Sequence, residues 1–469
     1  MKSVTGPFLV LAPILLAALV LACGSSSDPT VTPTATVVVA AETPSPSPTA
    51  TAPSHTPTAP ATVSPTPTES TTSESTLARR LADEAWAFLE TFTRELSPRA
   101  SATEQEVAAA EFLAAELESL GYEVKLQTFE FNMPSSEVTL QGGLDEAPTT
   151  APSHPLTLSG IGEASGVLVN VAKGLPEDVA SGFAESPTGD SSRDVIALIE
   201  RGESTFEEKV KGVADAGAVG AIVYNNRRGL FAGALSTQAG IPVVAITRES
   251  GAAIVVRMTD GEVTATVFAG LDTVESRTVV AEKPGPAPDS PLVVLGGHFD
   301  TVPDVPGAND DGSGIATLRA IAGEVADRSY PFTLRLVAFG SEELGLFGSR
   351  WYVSELTAEE REPTIVMLNF DALAGGTNLS VLGDDGLVSD LVDIGERKGI
   401  PLREYAALPG GGSSDHAPFD EVDIPTVFFL DEEFSRIHTA EDRLEFINAQ
   451  SMGNAAALAI GLLDRLARR

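Results

Sequence analysis

The sequence predicts an α/β protein: a doubly wound, mainly parallel mixed sheet, interrupted by a small β-rich α/β insertion. Three observations predict it. After about Val280, short apolar runs alternate with helical stretches, the pattern of parallel strands joined by crossover helices. Between residues 136 and 275 the pattern is different and self-contained. The chain has 469 residues, more than one compact core ordinarily organises, so two folded units are expected.

The chain opens with Lys2 and an almost wholly apolar run from Phe8 to Leu21, which reads as an export signal and is short for a membrane span. Val20-Leu21-Ala22-Cys23 resembles a bacterial lipobox, which implies lipidation of Cys23. Residues 1–23 are therefore expected to be a lipoprotein signal peptide. The expected location is an extracytoplasmic cell surface, with plain secretion as the alternative, and membrane contact only through Cys23. Residues 24–78 are mostly Ser, Thr, Pro and Ala without a lysine or arginine, with ten prolines from Pro29 to Pro67, and read as a disordered tether.

With 30 basic against 66 acidic side chains the formal charge is −36, which repels nucleic acid and anionic lipid. No nucleic-acid partner is expected. Cys23 is the single cysteine, so an internal disulfide and a thiolate cluster are both excluded, and a metal site would use imidazole and carboxylate.

Residues 79–135 form the first part of the main body. Thr103-Glu104-Gln105-Glu106 is a capping-box pattern, and Val107, Ala110, Leu113, Ala114, Leu117 and Leu120 then make one apolar helical stripe that Gly121 ends. Tyr122 to Phe131 reads as a strand, and Met133 to about Gly160 as a Pro, Ser and Gly-rich connection. Residues 136–275, with flanking linkers, are the insertion. Its run Val195-Ile196-Ala197-Leu198-Ile199, then Glu200-Arg201-Gly202, Phe206, Lys209 and Ala216-Gly217-Ala218-Val219-Gly220 to Tyr224-Asn225, resembles the protease-associated (PA) domain. It offers no catalytic constellation, and a module with no ligand of its own is the expectation.

Residues 276–469 carry the chemistry. Leu292–Leu295 reads as a strand ending at Gly296-Gly297-His298-Phe299-Asp300, and Phe332–Phe339 as one ending at Gly340-Ser341-Glu342-Glu343. Thr364–Phe370 runs into Asp371, and Pro425–Leu430 is followed after a loop by His438. In such sheets ligands bind beyond the carboxyl ends of the strands, so these ends should deliver their polar residues to one place. His298, Asp310, Glu343, Asp371 and His438 supply imidazoles and carboxylates in a mixture suited to zinc. Five ligands exceed one tetrahedral site that also holds water, but satisfy a pair of metals if one carboxylate bridges.

His298-Phe299-Asp300, Gly307-Ala308-Asn309-Asp310-Asp311-Gly312-Ser313-Gly314, Glu342-Glu343-x-Gly345, Asn369-Phe370-Asp371 and His438-Thr439-x-x-Asp442 resemble the motifs of the di-zinc aminopeptidase and glutamate carboxypeptidase family. The resemblance implies a zinc-exopeptidase-like fold and two zinc ions. Asp310 would bridge, His298 and Asp371 would complete one site, and Glu343 and His438 the other. It implies Glu342 as general base, Asp300 orienting His298, and a cis Asp310–Asp311 bond. Ser413-Ser414-Asp415-His416-Ala417-Pro418-Phe419 is similar to a family segment near the substrate, where His416 would either donate to the developing oxyanion or serve the loop alone. The expected activity is hydrolysis of peptide or protein substrates, as an aminopeptidase or as a glutamate carboxypeptidase-like enzyme or dipeptidase. A single-zinc glutaminyl cyclase-like transferase and a non-catalytic receptor-like protein would both require ligands that this chain has to be missing.

Overall fold

A computed structural model describes residues 69–143, 145–185, 193–408 and 412–469. The expected export signal, Cys23 and the expected tether up to residue 68 lie outside the described residues. Among the described residues the chain forms two units: residues 69–101, 108–125 and 279–469, and residues 102–107 with the described part of 126–278.

The first unit is built on four parallel strands, β1 (Leu292–His298), β2 (Thr333–Phe339), β3 (Thr364–Phe370) and β5 (Thr426–Asp431), with β4 (Leu379–Gly383) antiparallel beside β5. The order is β4-β5-β3-β1-β2, and Val279–Lys283 pairs antiparallel to the outer edge of β2. Helices α1 (Glu69–Leu96), α2 (Glu104–Ser119, from residue 108 on), α3 (Gly312–Val325), α4 (Phe347–Glu355), α5 (Asp385–Lys398) and α6 (Ala449–Leu466) belong to the same unit. The strands are apolar on both faces, as a covered parallel sheet demands. Val293 and Leu295 join a core with Leu81, Leu89, Ile315, Met452 and Leu463, while Leu292 and Val294 join Val337, Phe339, Tyr352 and Phe419. Phe370 and Phe429 stack at 4.9 Å in the first of these cores, worth about 0.5–1.5 kcal/mol beyond the area they bury.

Helix α1 starts at Glu69, inside the stretch expected to be tether as far as residue 78. The physical reason is tertiary: Ala78 is buried and Leu77 packs against the core. At Gly453 of α6 a β-carbon would collide with the Ala78 carbonyl, so only glycine lets the two helices approach this closely.

In the second unit Gly162–Asn170, Val195–Glu200, Ala218–Tyr224 and Val243–Ile246 form a parallel sheet. Val263–Thr278 contributes an antiparallel edge to Gly162–Asn170, and Ser153–Pro155 pairs with Val243–Ile246. Alternate residues of the second strand serve opposite cores, Ala197 and Ile199 on one face and Ile196 and Leu198 on the other. The residues that carried the PA resemblance have structural work: the Arg201 guanidinium lies 4.6 Å over Phe231, which stacks on Phe206, and Lys209 is fully buried and donates to the Lys173 carbonyl. Thr205 and Glu208 close a capping box on the helix Phe206–Asp215. The expected connection from Met133 onward is instead strand: Glu123 continues to Gly142, and Thr139 to Gly142 pairs with Asp145–Thr150. Pro134, Ser135 and Ser136 have poor strand propensity, but Val138 and Leu140 are buried in alternation and tertiary pairing wins.

Candidate metal centre

The carboxyl ends of β1, β2, β3 and β5, with the loops that follow them, bring together every residue that the motifs singled out as a ligand. Register places His298 of β1 beside Phe339 of β2 and Gly296 beside Asn369 of β3, so the turns after them open at one level. His298 Nε2 lies 3.1 Å from Asp310 Oδ1 and 3.7 Å from Asp371 Oδ1. His438 Nε2 lies 3.0 Å from Asp310 Oδ2 and 3.1 Å from Glu343 Oε2. The two oxygens of Asp310 thus face different histidines. Two groups with ligand geometry result, His298–Asp310–Asp371 and Asp310–Glu343–His438, each with its donor atoms within 4.8 Å of one another.

Local sequence explains this convergence. Asp311 caps α3 by accepting Gly314 N–H at 2.8 Å and also accepts Ala372 N–H at 3.3 Å. Asn309 Oδ1 accepts Ala374 N–H at 2.8 Å, and the Ser313 hydroxyl accepts Leu373 N–H at 2.9 Å. The Asn309–Ser313 segment is therefore laced to the chain just after Asp371. The Asp310–Asp311 bond is cis, as the resemblance implies. Ser341, Ala372 and His438, each next to or at a site residue, have φ of 55°, 52° and 56°. Left-handed backbone at non-glycine residues costs roughly 1–3 kcal/mol each and persists where the surroundings over-determine it, characteristically at functional sites.

Asp300 does more than face His298, whose Nδ1 is 3.5 Å from Asp300 Oδ1. Its two oxygens accept the backbone N–H groups of Glu342 at 3.0 Å and Glu343 at 3.2 Å, and one also accepts the Ser101 hydroxyl at 2.6 Å. One buried carboxylate sets the turn that presents both glutamates. Glu342 Oε2 is 4.0 Å from His298 Nε2. In the segment Ser413–Phe419, Ser414 rather than His416 touches a ligand residue: its hydroxyl donates to Asp371 Oδ2 at 2.8 Å and accepts from Asn369 Nδ2 at 2.8 Å. His416 is buried with its ring stacked on Phe428 at 4.7 Å, and burial holds its pKa below the ordinary value, leaving the ring neutral.

Arg99 and the role of Asp442 escaped the sequence reading. Arg99 is fully buried, donating to the carbonyls of Phe299 at 2.6 Å, Pro306 at 3.3 Å and Gly307 at 2.9 Å, with its guanidinium 4.5 Å over Phe92. It braces the loops on either side of the ligand cluster. Burial lowers its pKa to about 10, still well above neutral, helped by Asp311 and Asp300. Asp442 accepts the backbone N–H groups of Asn309 at 2.7 Å and Asp310 at 3.0 Å.

The electrostatics call for added positive charge. Burial pushes Glu342 well above the usual carboxylate range and Glu343 up to about 7, with Asp310 adding to the second shift. Burial likewise raises Asp415 to about 7, with Asp300 and Asp371 adding to the shift and a hydrogen bond from the Ser349 side chain opposing it. Hydrogen bonds to Asp310 and Glu343 raise His438 to about 11. Burial opposes the charged form of His298, but Glu342 and the adjoining aspartates outweigh it and raise it well above its ordinary value. A crowd of carboxylates that holds protons and charges both imidazoles has the donor chemistry of a divalent-cation site. Glu343 Oε1, buried with no hydrogen-bond partner among the described residues, supports the same reading.

Residues 278–463 match the model of peptidase family M28, and residues 164–254 match the PA domain. The chain is 30% identical over 394 residues to Aminopeptidase YwaD of Bacillus subtilis strain 168, covering 80% of this chain and 83% of that protein. It is 32% identical over 314 residues to an aminopeptidase of Pseudomonas aeruginosa strain UCBPP-PA14, covering 62% of this chain and 56% of that one. Its fold resembles the solved structure of BSAP, a zinc aminopeptidase from Bacillus subtilis, with a TM-score of 0.63 and 26% identity over 82% of this chain and 95% of the other. With its ligand motifs in order, its strand ends converging and a full-length relative at this identity, the chain belongs to peptidase family M28.

Proposed function

We propose that this protein is a zinc-dependent exopeptidase, an aminopeptidase that releases N-terminal amino acids from peptide or protein substrates. The observation that carries the two-ion form of this reading is Asp310, whose oxygens stand 3.1 and 3.0 Å from two different histidines. His298, Asp310 and Asp371 would hold one zinc ion, and Asp310, Glu343 and His438 the other. When bound, such a pair lowers the pKa of water and polarises a carbonyl.

The chain's own residues do the rest. Burial raises the proton affinity of Glu342 toward the range in which a base works at neutral pH, and Asp300 fixes its turn through the backbone. Glu342 takes the proton of the attacking water and returns it to the leaving amine. Ser414 holds Asp371 by one oxygen. The neutral His416 ring, in the same loop, is the proposed donor to the carbonyl oxygen as charge develops on it.

A panel of short peptides tests the reading. Free N-terminal residues should be released from unblocked peptides, and N-acetylation should abolish release. Release from the carboxyl end instead would replace aminopeptidase with carboxypeptidase.

The proposed location is the cell surface through a lipidated Cys23, supported by Val20-Leu21-Ala22-Cys23 after an apolar run. Cys23→Ser should move the protein from the membrane fraction to the soluble one with hydrolysis intact. A wild type found wholly soluble would remove the lipid anchor from the account.

A further inference from the structure

The two ligand groups are not equally protected. The His298 side chain is 1% exposed, whereas that of His438 is 47% exposed and sits at a left-handed position in a turn. Asp310, common to both groups, belongs to a segment laced to the residues after Asp371 and braced by Arg99 at Gly307. The His438 turn reaches that segment through Asp442. Its carboxylate accepts Asn309 N–H at 2.7 Å and Asp310 N–H at 3.0 Å, and its own carbonyl accepts Ala308 N–H at 3.3 Å. The turn itself closes with Thr439 N–H on the Arg436 carbonyl at 3.2 Å and Asp442 N–H on the Thr439 carbonyl at 3.0 Å. Three consecutive amides, Ala308 to Asp310, are therefore gripped by one residue four positions after a ligand.

We infer that Asp442 is a positioning residue that sets the occupancy of the metal site containing His438, selectively and through the backbone, without touching the ion. This rests on the two-ion reading above. Hydrogen bonds from backbone amides to a buried carboxylate are of the stronger kind, and loss of an outer partner of a metal ligand typically costs about 10–100-fold in affinity. Removing the Asp442 carboxylate frees the His438 turn, while His298, Asp310 and Asp371 keep their other fastenings. One site should weaken and the other should not.

Zinc titration of the metal-free protein against a competing chromophoric chelator resolves the sites. Asp442→Asn retains one acceptor and Asp442→Ala retains neither. The wild type should bind two equivalents. In the variants one equivalent should bind as in the wild type and the other about 10–100-fold more weakly, with Asp442→Ala the worse. His438→Ala, which removes a ligand from that site alone, should lose the same equivalent, and adding Asp442→Asn to it should change nothing further. Parallel weakening of both equivalents, or of neither, would overturn the inference. A wild type that binds a single equivalent would overturn the two-ion reading beneath it. If the variants do not fold, hydrogen exchange on the wild type decides. The segment 436–446 should gain protection with the second equivalent of zinc, and protection complete at the first would count against Asp442.

Discussion

Glu342→Gln should keep its zinc and lose turnover by roughly 100- to 10,000-fold, the usual contribution of a positioned general base. The substitution preserves size and hydrogen-bonding capacity, and Asp300 still accepts the backbone N–H of residue 342, so the turn survives. What disappears is the ability to take a proton. Affinity for a competitive inhibitor should therefore stay near the wild-type value while kcat falls. Glu343→Ala would look different, because Glu343 stands 3.1 Å from His438 in the second ligand group and its loss should lower zinc content as well as rate. A Glu342→Gln protein with near-normal turnover would place the base elsewhere, and Asp300 would be the next residue to test.

Asp310→Ala has the other large effect, because it takes one ligand from each site at once. A structural zinc ion with four ligands is worth about 10–16 kcal/mol, so a single ligand represents roughly 2.5–4 kcal/mol, or about 70- to 850-fold at each site. Both ions should be lost at micromolar zinc and hydrolysis should fall to background. The sheet should persist, since its cores are built from Val293, Leu295, Phe370 and Phe429 on one face and Val294, Val337 and Phe339 on the other, away from the ligand cluster. Elemental analysis and the far-ultraviolet dichroism of the same sample check both statements. Retention of one tightly held ion would mean that Asp310 serves a single site.

The parts of this architecture that sequence reveals are those written as local pattern. The apolar runs that end at His298, Glu342 and Asp371 announce strands and where they stop, and a carboxylate or imidazole directly after such a run points to the end of the sheet. The parts it conceals are long-range. Arg99 follows Ser97-Pro98 and looks like a solvated loop residue, and only the fold shows that the carbonyls of Phe299, Pro306 and Gly307, some two hundred positions away, receive it. Asp442 was visible as the end of a motif, but its acceptors' partners, the amides of Asn309 and Asp310, carry no side-chain signature. Ser414 lies two residues before His416 and has no sequence signature of its own, yet its hydroxyl is the group that reaches Asp371. The strand through Pro134 to Gly142 and the early start of α1 at Glu69 show the same override of local propensity by packing.

Asp310 is the carboxylate proposed to join two metal ions in one site, and the zinc content of the purified wild-type protein distinguishes one ion from two. Metal analysis combined with activity, measured as zinc is returned to the metal-free protein, should give close to two ions per chain with full activity only as the second is filled. One ion per chain with full activity would contradict it.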